Sequence, residues 1–211
     1  MPYVQLVTWY PVLNSVREFR GLIEGRVKAQ QAAGIDASLT RTVFAPETSA
    51  FTIRRRYPTL ADFESARDRQ TQANQTTVDR MSAMQRQAGT NAIHEVLQRT
   101  TVPRLVAKWT RVVIAAPALG RGPELRALLL EQGQHYEAQG QGRGLLVEVA
   151  GPESGSFRSV FGNSSLAELE QWRAGPALGQ SQQDYVQRVN ALVSRPLQSS
   201  IHEVLIPYLT S

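Results

Sequence analysis

The sequence predicts an α+β protein made of two tandem βαββαβ units, residues 1–103 and 104–211, lying sheet against sheet. Three observations carry that prediction. The pentapeptide IHEVL stands at 93–97 and again at 201–205. Upstream of it the halves keep step: Val78, Met81 and Met84 precede Val186, Val189 and Leu192 by 108 positions. Farther upstream the offset is 106, matching Pro46-Glu47 with Pro152-Glu153, Phe51 with Phe157, and TLADFE (59–64) with SLAELE (165–170). Two extra residues near RAGPALGQSQQ (173–183) account for the change of offset. A fixed-offset self-match of this length marks a repeated structural unit, with the joint near Pro103.

Each element follows from its pattern. YVQLVTWY (3–10) and TRVVIAA (110–116) are β-rich runs that end at a proline, which suits a strand terminus because proline donates nothing to the ladder. Val16, Phe19, Leu22, Ile23 and Val27 then recur at a helical period behind Ser15 and Glu18, which have capping-box spacing. Their counterparts Leu125, Leu128, Leu129 and Tyr136 follow Pro123, a residue suited to a first helical turn. Gly34, and Gly140 with Gly142, are placed to close these helices. SLTRTVFA (38–45) with AFTIRRRY (50–57), and GLLVEVA (144–150) with SFRSVFG (156–162), are strand pairs joined by the short PETS and GPESG turns, so each reads as a hairpin. A second helix opens at Thr59-x-x-Asp62 or Ser165-x-x-Glu168, and after a polar break IHEVL forms the last strand.

This order folds as a four-stranded antiparallel sheet with both helices on one face, the ferredoxin-like arrangement. Its second face stays bare, which strands this apolar do not tolerate in water. Two such units covering one another make an α/β barrel with a shared cavity, and the tandem arrangement supplies both in one chain.

Composition narrows the function. With 42% hydrophobic and 19% charged residues the chain has material for a real core. It has no cysteine, which excludes disulfides, thiolate metal sites and thiol nucleophiles. No apolar run suits a membrane span, and MPYVQLVTWYPV lacks the marks of a signal peptide, so a soluble, cytoplasmic protein is expected. The net charge is +5, but the arginines are scattered. The one dense run, Arg54-Arg55-Arg56, is split by strand alternation between two faces, so no nucleic-acid partner is expected.

The chemistry is sought in the repeated His-Glu pair. In a strand Ile93, Glu95 and Leu97 share one face and His94 and Val96 the other, so a titratable group points into the barrel whichever face meets the helices. A glutamate buried under helices is costly unless paired, whereas a neutral histidine needs one hydrogen bond. That favours Glu95 and Glu203 in the cavity and His94 and His202 beneath the helices. All four are candidate catalytic acid/base groups. The plainer alternative is structural, with an Arg111–Glu203 pair satisfying the carboxylate. Candidate ligand-binding residues are Trp9 at the end of the first strand, Gln5 and Arg111 at matching places on the first strands, and Arg54. Arg54 shares a face with Arg56 and would meet an anionic substrate; the matching strand of the second copy carries Arg158 and Val160. No third ligand accompanies either His-Glu pair and no phosphate, dinucleotide or metalloprotease motif occurs, so neither metal nor cofactor is expected.

The aromatic first strand ending at proline (YVQLVTWYP), the Pro-Glu hairpin GPESGSFRSVF, the helix opening SLAELEQWRAGP and the terminal SSIHEVLIPY resemble the dimeric α/β-barrel superfamily. Within it they look most like NIPSNAP-type and antibiotic-biosynthesis-monooxygenase-type domains. The resemblance implies a cavity between two sheets, in a superfamily that includes cofactor-free oxygenases, haem-degrading enzymes and small isomerases. Its oxygenase branch relies on Asn, Trp, Tyr or Arg at the cavity; Asn14 and Trp9 lie near the end of strand one, with Ala115 and Gly120 at the corresponding place in the second unit. Its haem branch uses an axial histidine on a helix, whereas His94 and His202 fall on strands. The expected function is the binding of a small apolar ligand between the sheets. The alternatives are a cofactor-independent monooxygenase or isomerase using His/Glu with aromatic residues, and, for a filled barrel, a protein-interaction module. A homo-oligomer through helices or edge strands is a further expected partner.

Overall fold

A computed structural model describes residues 2–45, 49–73, 75–99, 107–138, 142–168 and 180–209. The first half runs β1 (Tyr3–Pro11), α1 (Val16–Ala32), β2 (Ala37–Phe44), β3 (Phe51–Tyr57), α2 (Leu60–Ala73), α3 (Gln75–Ala83) and β4 (Gln85–Arg99). The second runs β5 (Trp109–Ala115), α4 (Gly122–Ala138), β6 (Arg143–Ala150), β7 (Phe157–Asn163), α5 (Gln180–Asn190) and β8 (Gln198–Ile206). The expected joint at Pro103, the first three residues (46–48) of the PETS turn and most of 173–183 lie outside the described residues.

The eight strands form one closed antiparallel barrel in the order β1-β3-β2-β8-β5-β7-β6-β4. The order is β4-β1-β3-β2 through the first half and β8-β5-β7-β6 through the second. The halves do more than cover each other. Their edges are hydrogen-bonded, β2 to β8 and β4 to β6, with Thr42 opposite His202 and His94 opposite Glu148. Closure removes every unpaired edge, which stacking two separate sheets would have left open.

Strand parity divides the side chains. Where the ladders are regular, even-numbered residues face the interior, as Val4, Leu6, Thr8, Ser38, Thr40, Thr42, Thr52 and Arg54 show; past the bulges parity changes, and Ile206 joins the helix-side core. Odd-numbered residues meet the helices and make two cores. One holds Trp9, Leu39, Phe51 and Ile53 against Phe19, Ile23 and Val27 of α1 and Met81 of α3. The other holds Ala115, Leu145 and Phe157 against Leu125, Leu128 and Leu129 of α4 and Val189 of α5. The i, i+4 spacing of Phe19, Ile23 and Val27 is the stripe that directs α1 onto the sheet.

Helix ends follow the sequence unevenly. Thr59 and Asp62 form a reciprocal capping box, with the Asp62 N–H donating to Thr59 Oγ1 at 3.1 Å and the Thr59 N–H to Asp62 Oδ2 at 3.0 Å. Ser15 makes no side-chain cap, and Glu18 takes an ion pair with Arg80 at 2.8 Å instead. Gly34 closes α1 with φ +78°, a conformation that favours glycine. Among the described residues no helix is long and apolar enough to cross a membrane.

Candidate functional site

The barrel encloses a cavity of about 1310 Å³. Its walls mix apolar side chains, among them Val4, Leu6, Ala92, Val112 and Leu146, with Thr40, Thr42, Thr110, Ser200, His202, Arg54 and Arg158. It is neither packed shut nor purely apolar.

Of the two strand histidines, His202 is the one that lines this space. Thr42 Oγ1 lies 3.2 Å from its Nδ1 and Ser200 Oγ 2.8 Å from its Nε2. Burial, followed by the Arg54 and Arg158 charges, holds it down to about 3, so the imidazole is neutral at pH 7. His94 also faces inward, since it pairs in register with Val4, but it is sealed. Its Nε2 lies 3.4 Å from Glu148 Oε2, and both side chains are wholly buried. The Glu148 carboxylate is already engaged, by Arg158 Nη2 at 3.3 Å and by the Glu153 backbone N–H at 2.6 Å. His94 is held down to about 3 by burial, then by Arg158. Arg158 also pairs with Glu153 at 3.7 Å, and Glu153 with Arg195, which ties the β6–β7 hairpin to the segment before β8.

The expected assignment of the His-Glu pairs is therefore reversed: the histidines point inward and Glu95 and Glu203 outward. The premise that helices cover the whole outer face fails at β4 and β8, where the outer residues are only half-buried. Glu203 is 32% exposed and pairs with Arg41 at 2.8 Å, not with Arg111. Register explains it: Arg41 stands opposite Glu203, whereas Arg111 stands opposite Ile201 and donates to Ser199 at 3.2 Å.

Of the four expected ligand-binding residues, one lines the cavity. Trp9, Gln5 and Arg111 have odd numbers and face out. Trp9 packs on Phe19 in the helix-side core. Gln5 accepts from Arg55 at 2.9 Å and donates to Asn91 at 3.0 Å, in a buried polar cluster beneath α1 where burial brings Arg55 down to about 10. Arg54 lies within the barrel and donates to Thr110 Oγ1 at 3.4 Å. Burial lowers its pKa, and Arg158 and Arg56 add to the effect against an opposing contribution from Tyr208. Arg56 also lines the cavity, 3.3 Å from Asp36 and stacked 3.4 Å from the Tyr208 ring. The Gln31 side chain donates to the Pro207 carbonyl at 2.8 Å, pinning that end of the chain beside the cavity.

Sequence reasoning missed Thr42, Glu148, Ser200 and Tyr208. Three of them carry the signal of strand parity: once His202 faces inward, Ser200 and Thr42, the register partner of His202, must do so too, and Glu148 follows from His94. No group of three or more His, Asp or Glu side chains suited to a metal occurs among the described residues.

No family model matches the sequence, and no curated protein matches it either. Solved structures do. An anthrone oxidase-like protein superposes with a TM-score of 0.70 at 15% identity, covering 97% of this chain and 91% of that one. A candidate monooxygenase from Fusobacterium nucleatum subsp. nucleatum gives 0.74 at 8% identity, over 100% and 95% of the two chains. Another, from Lactobacillus acidophilus, gives 0.65 at 9%, over 99% and 98%. At these identities the likeness concerns the fold. The chain has the dimeric α/β-barrel fold, closed here by eight strands of a single polypeptide.

Proposed function

We propose that this is a monooxygenase-like barrel that admits a small, largely apolar molecule, removes a proton from it with His202, and lets the resulting carbanion or enolate react with dioxygen. The observation that carries the reading is His202 itself. It is an uncharged imidazole on the wall of a large cavity, flanked by the hydroxyls of Thr42 and Ser200 rather than locked by a carboxylate. Such a group accepts a proton when a hydroxyl gives way or relays it. For an activated methylene the balance is CH2 + O2 → C=O + H2O, with the substrate supplying the electrons. The oxidase-like and monooxygenase descriptions of the similar structures support oxygenation over simple retention of a ligand.

The same reading takes residues 1–103 and 104–211 as tandem ferredoxin-like repeats, supported by their matching strand orders. The site then draws Thr42 and Arg54 from one repeat and Thr110, Ser200 and His202 from the other. It also explains why one of the two IHEVL copies is the reactive one. At the offset of 106 the counterpart of Glu148 is Thr42. His94 faces the carboxylate and is sealed; His202 faces the hydroxyl and stays accessible.

The test is catalysed oxygen uptake with activated polycyclic methylenes and phenols, anthrone among them. His202→Gln should lower kcat about 100-fold or more, the usual scale for losing a general base, with little change in KM. No catalysed uptake across the panel, or uptake indifferent to the substitution, would sink the reading.

A further inference from the structure

Among the described residues, one cation inside the barrel has no acid beside it. Arg158 is matched by Glu148 at 3.3 Å and Glu153 at 3.7 Å, and Arg56 by Asp36 at 3.3 Å. Arg143 turns its guanidinium out of the barrel to the Leu129 carbonyl and Ser159, at 2.7 and 2.6 Å. Arg54 faces the cavity with one long hydrogen bond, to the Thr110 hydroxyl at 3.4 Å, and no carboxylate within ion-pair distance among the described residues. A guanidinium recessed in the barrel wall without an anion is costly.

We infer that the cavity ligand is a monoanion, an apolar body ending in a carboxylate that sits on Arg54 beside Thr110. A single guanidinium without an adjacent acid calls for one negative charge, which favours a carboxylate over a doubly charged phosphate. The planar guanidinium fork fits the two carboxylate oxygens side by side. Val4, Leu6, Val112 and Leu146 leave the rest of the ligand an apolar wall. The inference rests on the oxygenase reading for taking this cavity as a substrate site, and it deepens that reading in one respect. After burial, the Arg54 charge is the largest influence holding His202 down. A carboxylate on Arg54 cancels that charge and makes His202 a stronger base only when the substrate is in place.

The experiment titrates the full chain by fluorescence with 9-anthracenecarboxylate and with 9-anthracenemethanol, which differ in the charged group on one ring system. The acid should bind about tenfold tighter or better, as a charge-assisted pair in a recessed site does. Arg54→Gln should bring its affinity down to that of the alcohol while leaving alcohol binding unchanged, which also checks that the variant is folded. Arg54→Lys should keep part of the preference. Equal affinity of the unaltered chain for acid and alcohol would overturn the inference, as would a preference that survives Arg54→Gln. Acid-selective binding without oxygen uptake would count against the oxygenase reading alone; uptake with equal binding would count against the anion site alone.

Discussion

His94 and His202 are written in the same pentapeptide, point into the same barrel and are both held neutral by burial, but they differ in what faces them. Their stability linkage is nevertheless shared. Each has a folded pKa of about 3, against 6.5 for an ordinary histidine. Because the folded value is the lower one, the unfolded chain binds more protons once the pH falls below about 6.5. Their contribution to stability is full above that pH and is lost as the pH falls from there towards 3. Each histidine should cost about 1.4 kcal/mol per pH unit inside that window. Urea midpoints at pH 7, 6 and 5 should therefore fall progressively, and His202→Gln should remove about half of the slope. A stability flat from pH 7 to 5 would contradict the burial of both rings.

At the scale of elements the β6–β7 hairpin shows how a turn can be built around one carboxylate. Gly151 has φ +146°, and a Cβ there would lie 2.5 Å from Glu148 Oε1 and 2.7 Å from the Ala92 Cβ. Gly151→Ala should cost about 2 kcal/mol or more through strained backbone and a crowded carboxylate. Thermal and urea unfolding would measure this, with a loss of under about 0.5 kcal/mol speaking against the packing. Elements of this kind were legible in the sequence. Alternation gave the strands, the Phe19-Ile23-Val27 stripe gave α1, and the Thr59–Asp62 spacing gave a cap that forms. Side-chain facing was not legible, because it depends on how far helices cover β4 and β8, and no local pattern reports that. Glu203 could face out since Arg41 stands opposite it across β2–β8, a partner 162 positions away. That Arg54 and Arg56 share a face was legible from strand alternation. What sequence hid was that Arg56 and Arg158 have acids of their own, leaving Arg54 without one among the described residues.

For the whole molecule, closure through β2–β8 and β4–β6 makes the halves mutually dependent. Either half alone would expose its inner face and two bare sheet edges. Residues 1–103 and 104–211 produced separately should each be aggregated or self-paired, and should form a soluble one-to-one complex when produced together. Size-exclusion chromatography with light scattering would measure this. A stable, monomeric half would argue that the interior is not shared. The intact chain should unfold in a single transition, since each half of the wall is closed only by pairing with the other.

Thr42 and Glu148 take corresponding places along the two seams, and the difference between a hydroxyl and a carboxylate there bears, under the proposed reading, on how many guests the molecule would hold. Where the acid stands, the room is bricked up with its own ion cluster. Where the alcohol stands, a door is left. On the proposed reading a barrel with a nearly twofold plan should therefore take a single occupant, with saturation at one molecule per chain.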